Sequence, residues 1–191
     1  TKAKLLYSGS LLAPNNEKKV LLPQKEKKLG RILHVGQSGR FHIKRQHFLS
    51  SLKKKQIPID NLRVSHQKVA EFYNKYAATI NISLNGELNA RLFTVISSGG
   101  VLVTDKLSSN AGINEIYSDK EILTFSSLDE AHALLKKILD DDEFRYETAL
   151  NAQIKYEETI GGYISLEQFW NAVNGRKVSA LFDLNKFDGF K

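Results

Sequence analysis

The chain has 191 residues, 41% of them hydrophobic and 26% charged, which are ordinary proportions for a globular protein with a sizeable core. It contains no cysteine, which excludes thiol chemistry and disulfides, and no run of about 18 apolar residues that could span a bilayer. The formal net charge of +7 is uneven, because residues 1–60 carry 14 of the 28 Lys and Arg but only 3 of the 21 Asp and Glu.

A basic first third could attract phosphate, anionic lipid or nucleic acid. Its lysine clusters contain almost no aromatic residues on which bases could stack, so a solvated surface is the simpler interpretation and we expect no nucleic-acid partner. Residues 1–29 are predicted to be a basic segment or linker, since Pro14 and the two asparagines after it break regular structure. The chain opens on Thr1 and has no methionine, so we expect either a segment of a longer protein or a chain that has been renumbered.

The first predicted elements are a strand and a helix. Residues 31–36 form a short β-rich run that ends in small residues. Helical spacing of apolar residues begins at Ile43 and lasts until Pro58 stops it. Residues 59–64 are the next predicted strand, and Ser65 is a candidate N-cap for the helix that follows.

The middle of the chain, residues 80–105, has the pattern of strand, turn, helix and strand. Apolar and polar residues alternate over 80–84, which predicts a strand. Asn85 is then the predicted N-cap of a helix with one apolar face, and Gly99 with the glycine after it ends that helix. Residues 101–103 are a short buried strand.

The same rhythm continues toward the carboxyl end. Residues 121–125 are predicted to form a strand, and Ser126 or Ser127 caps the helix after it. A second helical run covers 143–159, and Ser165 opens a third. Strands that alternate with helices predict an α/β fold with a doubly wound parallel sheet and C-terminal helices.

The loop after the first strand is one candidate site. Gly36, Ser38 and Gly39 would let backbone amides approach a phosphate at a helix N-terminus, and Lys44 and Arg45 would add charge. The spacing matches neither the dinucleotide fingerprint nor a Walker loop. A plain turn that needs small residues for its geometry explains the loop equally well.

A second candidate follows the middle strand, where Asn85, Glu87, Asn89 and Arg91 are more polar than a short buried junction needs. Glu87 and Arg91 are four residues apart, so a surface ion pair on the helix is the simpler explanation of those two. The clustering nevertheless favours a ligand site, because open α/β sheets bind ligands where their strands end.

Metal and hydrolytic chemistry find no support in the spacing of polar residues. His34, His42 and His47 are close in sequence, but their spacing does not place two on one helical face and no carboxylate accompanies them. We interpret them as ordinary histidines, with His42 beside the glycine loop as a possible hydrogen-bond donor to a ligand. No Ser-His-Asp arrangement or pair of carboxylates in a convincing context is present.

Three stretches resemble a known group of enzymes. The stretch INISLNGELNARLFTVISSGGVLVTD is similar to a block of the spore-maturation-protein-type glycosyltransferases, which belong with the group-1-like glycosyltransferases of GT-B fold. LHVGQSGRFHIKRQHFLSSL resembles the opening strand, glycine loop and basic helix of the donor-binding half of those enzymes, and EILTFSSLDEAHALLKKILDDDEFRYETALNAQIKYEETI resembles its end. The resemblance covers roughly residues 30 to 160 and implies a Rossmann-like, C-terminal half of a GT-B fold.

This resemblance implies a site for a nucleotide sugar. The donor diphosphate would lie against Ser38 and Gly39 with Lys44 or Arg45, and the sugar and ribose at the start of the helix, from Asn85 to Arg91. The glutamate that usually holds the ribose is Thr94 here, which offers a hydrogen bond but no charge.

The resemblance also sets the domain division and partners that we expect. Residues 30–179 would be the nucleotide-sugar-binding domain and 180–191 a tail, and the N-terminal GT-B half that binds a glycan, lipid or protein acceptor would be missing. The nucleotide sugar would be a substrate, with no tightly bound cofactor and no metal required. We expect a cytoplasmic protein and leave contact with the inner membrane face open.

Two functions follow from this reading. The first is the donor-binding half of a glycosyltransferase, with a catalytic base that this chain does not reveal. The alternative is a non-catalytic module of the same fold that has lost donor chemistry and serves in binding or scaffolding, which Thr94 favours.

Overall fold

The structure, a computed structural model, describes residues 21–26, 29–37, 39, 42–83, 86, 89–108, 117–159 and 174. The first 20 residues, the predicted helix from Ser165 and the predicted tail from 180 lie outside the described residues. The domain boundary expected at residue 30 stays a prediction.

Five parallel strands form one sheet in the order β2-β1-β3-β4-β5. The strands are β1 (Leu29–Val35), β2 (Ile59–Leu62), β3 (Tyr76–Asn81), β4 (Leu102–Asp105) and β5 (Leu123–Phe125). The chain moves outward from β1 to β2, then returns to the other side of β1 and continues from β3 to β5. The order therefore reverses between β1 and β3, which is the switch point where such sheets bind ligands at the carboxyl ends of their strands.

Helices cover both faces of this sheet and confirm the predicted doubly wound α/β fold. They are α1 (Ile43–Lys54), α2 (Val69–Lys75), α3 (Ala90–Ser97), α4 (Leu128–Asp140) and α5 (Asp142–Thr159). One apolar cluster joins the sheet to α2, α3 and α5, with Phe93 and Tyr156 among its largest members. The other joins the sheet to α1 and α4, with Leu52 and Leu135. None of the helices in the described parts of the chain has both the length and the apolar surface needed to cross a membrane.

The central strand begins earlier than its sequence pattern predicts. Alternation suggested a strand from residue 80, but β3 starts at Tyr76 and pairs with β1 from that residue onward. All six residues of β3 are buried, because helices cover both of its faces. A strand buried on both sides has no polar face, so it loses the alternation by which strands are recognised.

Two predicted helix starts are also wrong. Ser65 was the expected cap of α2, but its carbonyl accepts hydrogen bonds from the amides of Lys68 and Val69, so a turn precedes the helix. Asn85 was the expected cap of α3, but the helix begins at Ala90 and Asn89 caps it. Glu87, expected to lie one turn before Arg91 on this helix, is outside the described residues, so that pairing stays a prediction.

A short segment before β1 packs across the end of α3, and we call residues 21–26 the N-terminal strap. Asn74 Nδ2 donates to Leu22 O at 3.1 Å, and Gln153 Nε2 donates to Leu21 O at 3.1 Å. Gly99 has a φ of +66°, and a Cβ added there would lie 2.4 Å from Leu21 O. The strap passes so close that only glycine fits at the end of α3.

Candidate functional site

The candidate site lies where β1 and β3 end, and Gly36 forms its floor. Gly36 directly follows β1 and has a φ of +140°, which favours glycine. Its amide donates to Leu62 O at 3.2 Å, which ties the start of the loop to β2. A Cβ added to Gly36 would lie 3.0 Å from Nη2 of Arg91, so the absence of a side chain leaves room for the guanidinium.

Arg91 is the cation at the centre of the site. It stands in the first turn of α3, where Asn89 Oδ1 accepts a hydrogen bond from the Arg91 amide at 3.1 Å. Arg91 Nη1 donates to Asn81 Oδ1 at 2.8 Å, and Asn81 is fully buried at the end of β3. Arg91 is half-buried and forms no ion pair with any described residue. A neutral amide therefore holds the guanidinium in place.

Arg45 joins the two loops that flank the switch point. Its side chain is buried, Nη1 donates to Gln37 O at 3.0 Å, and Nη2 and Nε donate to Ile82 O at 2.7 and 3.2 Å. Gln37 belongs to the loop after β1 and Ile82 to the loop after β3. Arg45 thus fixes the two loops relative to each other and adds positive charge beneath them.

A buried histidine lies beside these cations. His34 Nδ1 is 2.9 Å from Asn61 Oδ1, an acceptor, so Nδ1 carries the proton. The Nε2 atom has no hydrogen-bond partner within the part of the chain that the structure describes. Burial, helped by the charges of Arg91 and Arg45, lowers the pKa of His34 to about 4, although the bond to Asn61 acts in the opposite direction. His34 is therefore neutral near pH 7.

A cleft of about 480 Å³ opens beside Arg91, between α2 and α3. Its wall is largely apolar, and it is lined by Val35, Val64, His66, Val69, Tyr73, Ala90, Arg91 and Thr94. Burial raises the pKa of Tyr73, although the charge of Arg91 and a side-chain hydrogen bond with it act in the opposite direction. Thr94 Oγ1 donates to Ala90 O at 2.8 Å, which leaves its oxygen lone pairs for a ligand donor.

The structure brings together five residues that the sequence singled out: Gly36, Arg45, Asn89, Arg91 and Thr94. Gly39 is described in the same loop, where its carbonyl accepts from the His42 amide at 2.8 Å. Lys44 is exposed on the first turn of α1 and makes no hydrogen bond or ion pair with another described member of the set. Ser38, Asn85 and Glu87 lie outside the described residues.

Sequence reasoning missed Asn81, Asn61 and Tyr73, and it treated His34 as an ordinary histidine. The signal for two of them was present, since His34 and Asn81 are polar residues near the ends of otherwise apolar strands. Asn61 and Tyr73 become neighbours of the site only through the strand order. No group of three or more potential metal ligands occurs among the described residues, and the expectation that no metal is required stays a prediction.

Comparison with known proteins places this arrangement in a family. The model of a glycosyl transferase-like family matches residues 45–163, which is more than half of the chain. No curated protein matches the chain. The finer resemblance to spore-maturation-protein-type enzymes stays a prediction.

Solved structures share the fold at low sequence identity. A mutant of S. aureus TarM in complex with fondaparinux, alpha-GlcNAc-glycerol and UDP is 11% identical, with a TM-score of 0.61 over 83% of this chain and 38% of that chain. A second TarM structure is 10% identical, with a TM-score of 0.58 and the same coverage of 83% and 38%. An alpha1,3-fucosyltransferase is 13% identical, with a TM-score of 0.52 over 90% of this chain and 52% of that chain.

These values have two consequences. The present chain spans less than two thirds of each of these enzymes, and identities this low establish the fold alone. The five-stranded parallel sheet with helices on both faces is the Rossmann-like fold of the matching GT-B glycosyltransferases. With the family match over more than half of its length, the chain belongs to the glycosyl transferase-like family.

Proposed function

We propose that this chain is the donor-binding domain of a glycosyltransferase and that it holds the diphosphate of a nucleotide sugar at the switch point. The observation that carries the proposal is the environment of Arg91. Its guanidinium lies over Gly36, is fixed by the neutral side chain of Asn81, and makes no ion pair with any described residue. A fixed arginine with no ion-pair partner among the described residues suits the oxygens of a phosphate, which it can bind through two parallel hydrogen bonds.

The helix behind Arg91 supports the same ligand. Backbone amides at a helix N-terminus and the helix dipole favour an anion, and the first turn of α3 opens directly onto the switch point. Arg45, buried beneath the two loops, adds a second positive charge to the potential there. Lys44 is exposed on α1 and would approach the phosphates from the solvent side.

The cleft beside Arg91 suits the nucleoside. Val35, Val64 and Val69 provide an apolar wall against which a base can pack, and the cleft reaches both Arg91 and Thr94. A nucleoside in this cleft would therefore place its diphosphate at the guanidinium. Thr94 would accept a hydrogen bond from a ribose hydroxyl in place of the carboxylate expected there.

In a sugar transfer, negative charge develops on the diphosphate as it departs. Cations and amides that are already in place stabilise that charge without reorganisation when the bond breaks. The acceptor, and a base if the reaction needs one, would come from a part of the enzyme other than residues 45–163. By itself, this domain is expected to bind its donor with little or no turnover.

Calorimetric titration with UDP, GDP, ADP and CMP and their sugars tests the proposal. We expect selective binding of one nucleotide, and Arg91→Ala should weaken it by about tenfold or more, because a charged hydrogen bond to phosphate is lost. Lys44→Ala should have a smaller effect. The matched controls are Arg31→Ala and Lys54→Ala, which remove the same charges from the amino edge of the sheet and from the last turn of α1.

The alternative is a non-catalytic module of the same fold, and the state of Thr94 favours it. Thr94 is buried and already donates its proton to Ala90 O, so it replaces only part of what a carboxylate would offer to a ribose. A folded protein that binds none of these nucleotides would contradict the donor-binding proposal and support the scaffold. An equal loss of affinity in Arg91→Ala and Arg31→Ala would contradict the assignment of the site.

A further inference from the structure

A chain of side-chain hydrogen bonds leads away from the site beneath Arg91. Arg91 Nη1 donates to Asn81 Oδ1 at 2.8 Å, and Asn81 Nδ2 donates to Thr104 Oγ1 at 3.0 Å. Thr104 Oγ1 in turn donates to Asp105 Oδ1 at 3.3 Å. Two neighbouring side chains at the ends of β3 and β4, those of Asn81 and Thr104, therefore connect the guanidinium to a carboxylate.

Every hydrogen in this chain points toward Asp105. A carboxylate only accepts, so the Thr104 hydroxyl donates to it and offers its own oxygen to Asn81. That oxygen accepts from Asn81 Nδ2 and so directs Oδ1 toward Arg91, and the reverse orientation of the amide would place two donors, NH2 and guanidinium, against each other. Asn81 and Thr104 are both fully buried. In the protein interior, successive hydrogen bonds strengthen one another, and an unpaired polar group is costly.

Asp105 also holds the loop between β3 and α3. Its Oδ1 accepts from the amide of Ser83 at 2.8 Å and its Oδ2 from the hydroxyl of Ser83 at 2.6 Å. The Ser83 hydroxyl accepts from the amide of Gly86 at 3.0 Å, and Gly86 O accepts from Ser108 N at 2.9 Å. Both oxygens of the carboxylate are thus occupied by groups that position the loop and Asn81.

We propose that Asp105, acting through Thr104 and Asn81, is a positioning residue that sets the orientation of the Arg91 guanidinium toward the phosphates of the donor. The proposal rests on the proposed function, and it adds a residue that influences the binding of the donor without contacting it. Asp105 balances the charge of Arg91 only at a distance, across two neutral side chains. The guanidinium is therefore held in one orientation, while none of the described carboxylates forms an ion pair with it.

Substitutions at Thr104 test the chain of hydrogen bonds without changing a residue that contacts the ligand. Thr104→Val keeps the shape of the side chain but removes the link, and Thr104→Ser keeps the hydroxyl. Thr124→Val is the matched control, because Thr124 pairs with Thr104 in the register of β5 against β4. The probes are the pairs UDP and uridine, GDP and guanosine, and ADP and adenosine.

We expect Thr104→Val to weaken binding of the diphosphate by about tenfold and to leave the nucleoside unchanged, because only the phosphate contact depends on Arg91. Thr104→Ser should restore the affinity, and Thr124→Val should match the wild type. Equal losses for nucleotide and nucleoside, or no loss in Thr104→Val, would overturn the proposal.

A second measurement needs no ligand. Solvent exchange of the Asn81 side-chain amide protons, followed by NMR, should be about tenfold faster in Thr104→Val than in the wild type, Thr104→Ser and Thr124→Val. If the wild type binds none of the three nucleotides, the proposed function fails while this measurement still decides the hydrogen-bond chain. Unchanged exchange in Thr104→Val would show that Thr104 does not fix Asn81.

Discussion

An arginine lies at each end of the strands, and the two are held in opposite ways. We call the amino ends of the strands the amino edge of the sheet and their carboxyl ends the carboxyl edge. At the amino edge, Arg31 Nε donates to Asp60 Oδ2 at 2.8 Å, a second bond joins Arg31 to the same carboxylate, and Tyr76 also donates to it at 2.9 Å. Arg31 lowers the pKa of Asp60. At the carboxyl edge, Arg91 is held by the amide of Asn81 and forms no ion pair in the described parts of the chain.

The glycines of the two edges differ in the same sense. At the amino edge, backbone atoms of the strap occupy the space where a side chain of Gly99 would lie, and its Cβ position is 2.4 Å from Leu21 O. At the carboxyl edge, the Cβ position of Gly36 instead meets the end of a side chain, Nη2 of Arg91. One edge is closed by paired charges and packed backbone, and at the other the described partners of the arginine side chain, Asn81 and Tyr73, are neutral. A neutral partner orients an arginine without cancelling its charge, which is what the proposed binding of a phosphate at the carboxyl edge requires.

The largest expected effect tests whether burying a neutral histidine at the carboxyl edge lowers the stability of the protein in mild acid. His34 is buried and neutral in the folded protein, with a pKa of about 4, while the unfolded chain takes up a proton near pH 6.5. Between these values the unfolded state binds more protons, so the unfolding free energy should fall as the pH drops from 6.5 to about 4. The loss should be on the order of 3 kcal/mol. Urea unfolding at several pH values measures it.

The variant His34→Gln removes the titrating group and should flatten this pH dependence. The control His66→Gln replaces an exposed histidine and should keep the wild-type dependence. If His34→Gln and the wild type lose the same free energy over this range, the loss arises elsewhere.

The second prediction concerns the closed edge. Gly99→Ala forces a side chain onto a φ of +66° and against the N-terminal strap, and it should lower the unfolding free energy by about 2 kcal/mol. Gly30→Ala is the control, because no atom lies within 4 Å of its Cβ position. Thermal and urea unfolding of the two variants should separate clearly, and equal stabilities would contradict the close packing of the strap.

The smallest expected effect compares the two arginines directly. Arg31→Ala should lower the unfolding free energy only slightly, since the ion pair is partly exposed and screened by water, and it should leave nucleotide binding unchanged. Because Asp60 has a lowered folded pKa, its contribution is present at neutral pH and is lost as the pH falls through that value. The difference between Arg31→Ala and the wild type should therefore vanish in strong acid. A difference that persists there would mean that the contact acts through packing.

The sequence predicts the order and type of the elements well, because α1, α4 and α5 have long periodic patterns and clear stops. It fails where tertiary contacts decide. Asn85 and Asn89 both precede apolar residues at helical spacing, and Gly86 is held outside the helix by Ser83 and Ser108, which no local pattern reveals.

Only part of the site was predicted, again because tertiary contacts decide the rest. Gly36 and Arg91 stand out as a glycine and a cation near strand ends, and the resemblance to the family directed attention to both. The Asn81 amide becomes informative only when β3 is known to lie between β1 and β4, so that one face of it meets Arg91 and the other Thr104. Long-range strand pairing of this kind is not written in any single stretch of the chain.

Helix α3 has a mechanical consequence for the whole domain. It begins at the site, with Asn89 and Arg91 in its cap and first turn, and it ends about 12 Å away at Gly99, under the N-terminal strap. A helix of two turns bends little over that distance. It therefore connects the strap at one end to the guanidinium at the other. The packing of Gly99 against the strap and the hydrogen bond of Arg91 to Asn81 therefore lie at opposite ends of one short helix.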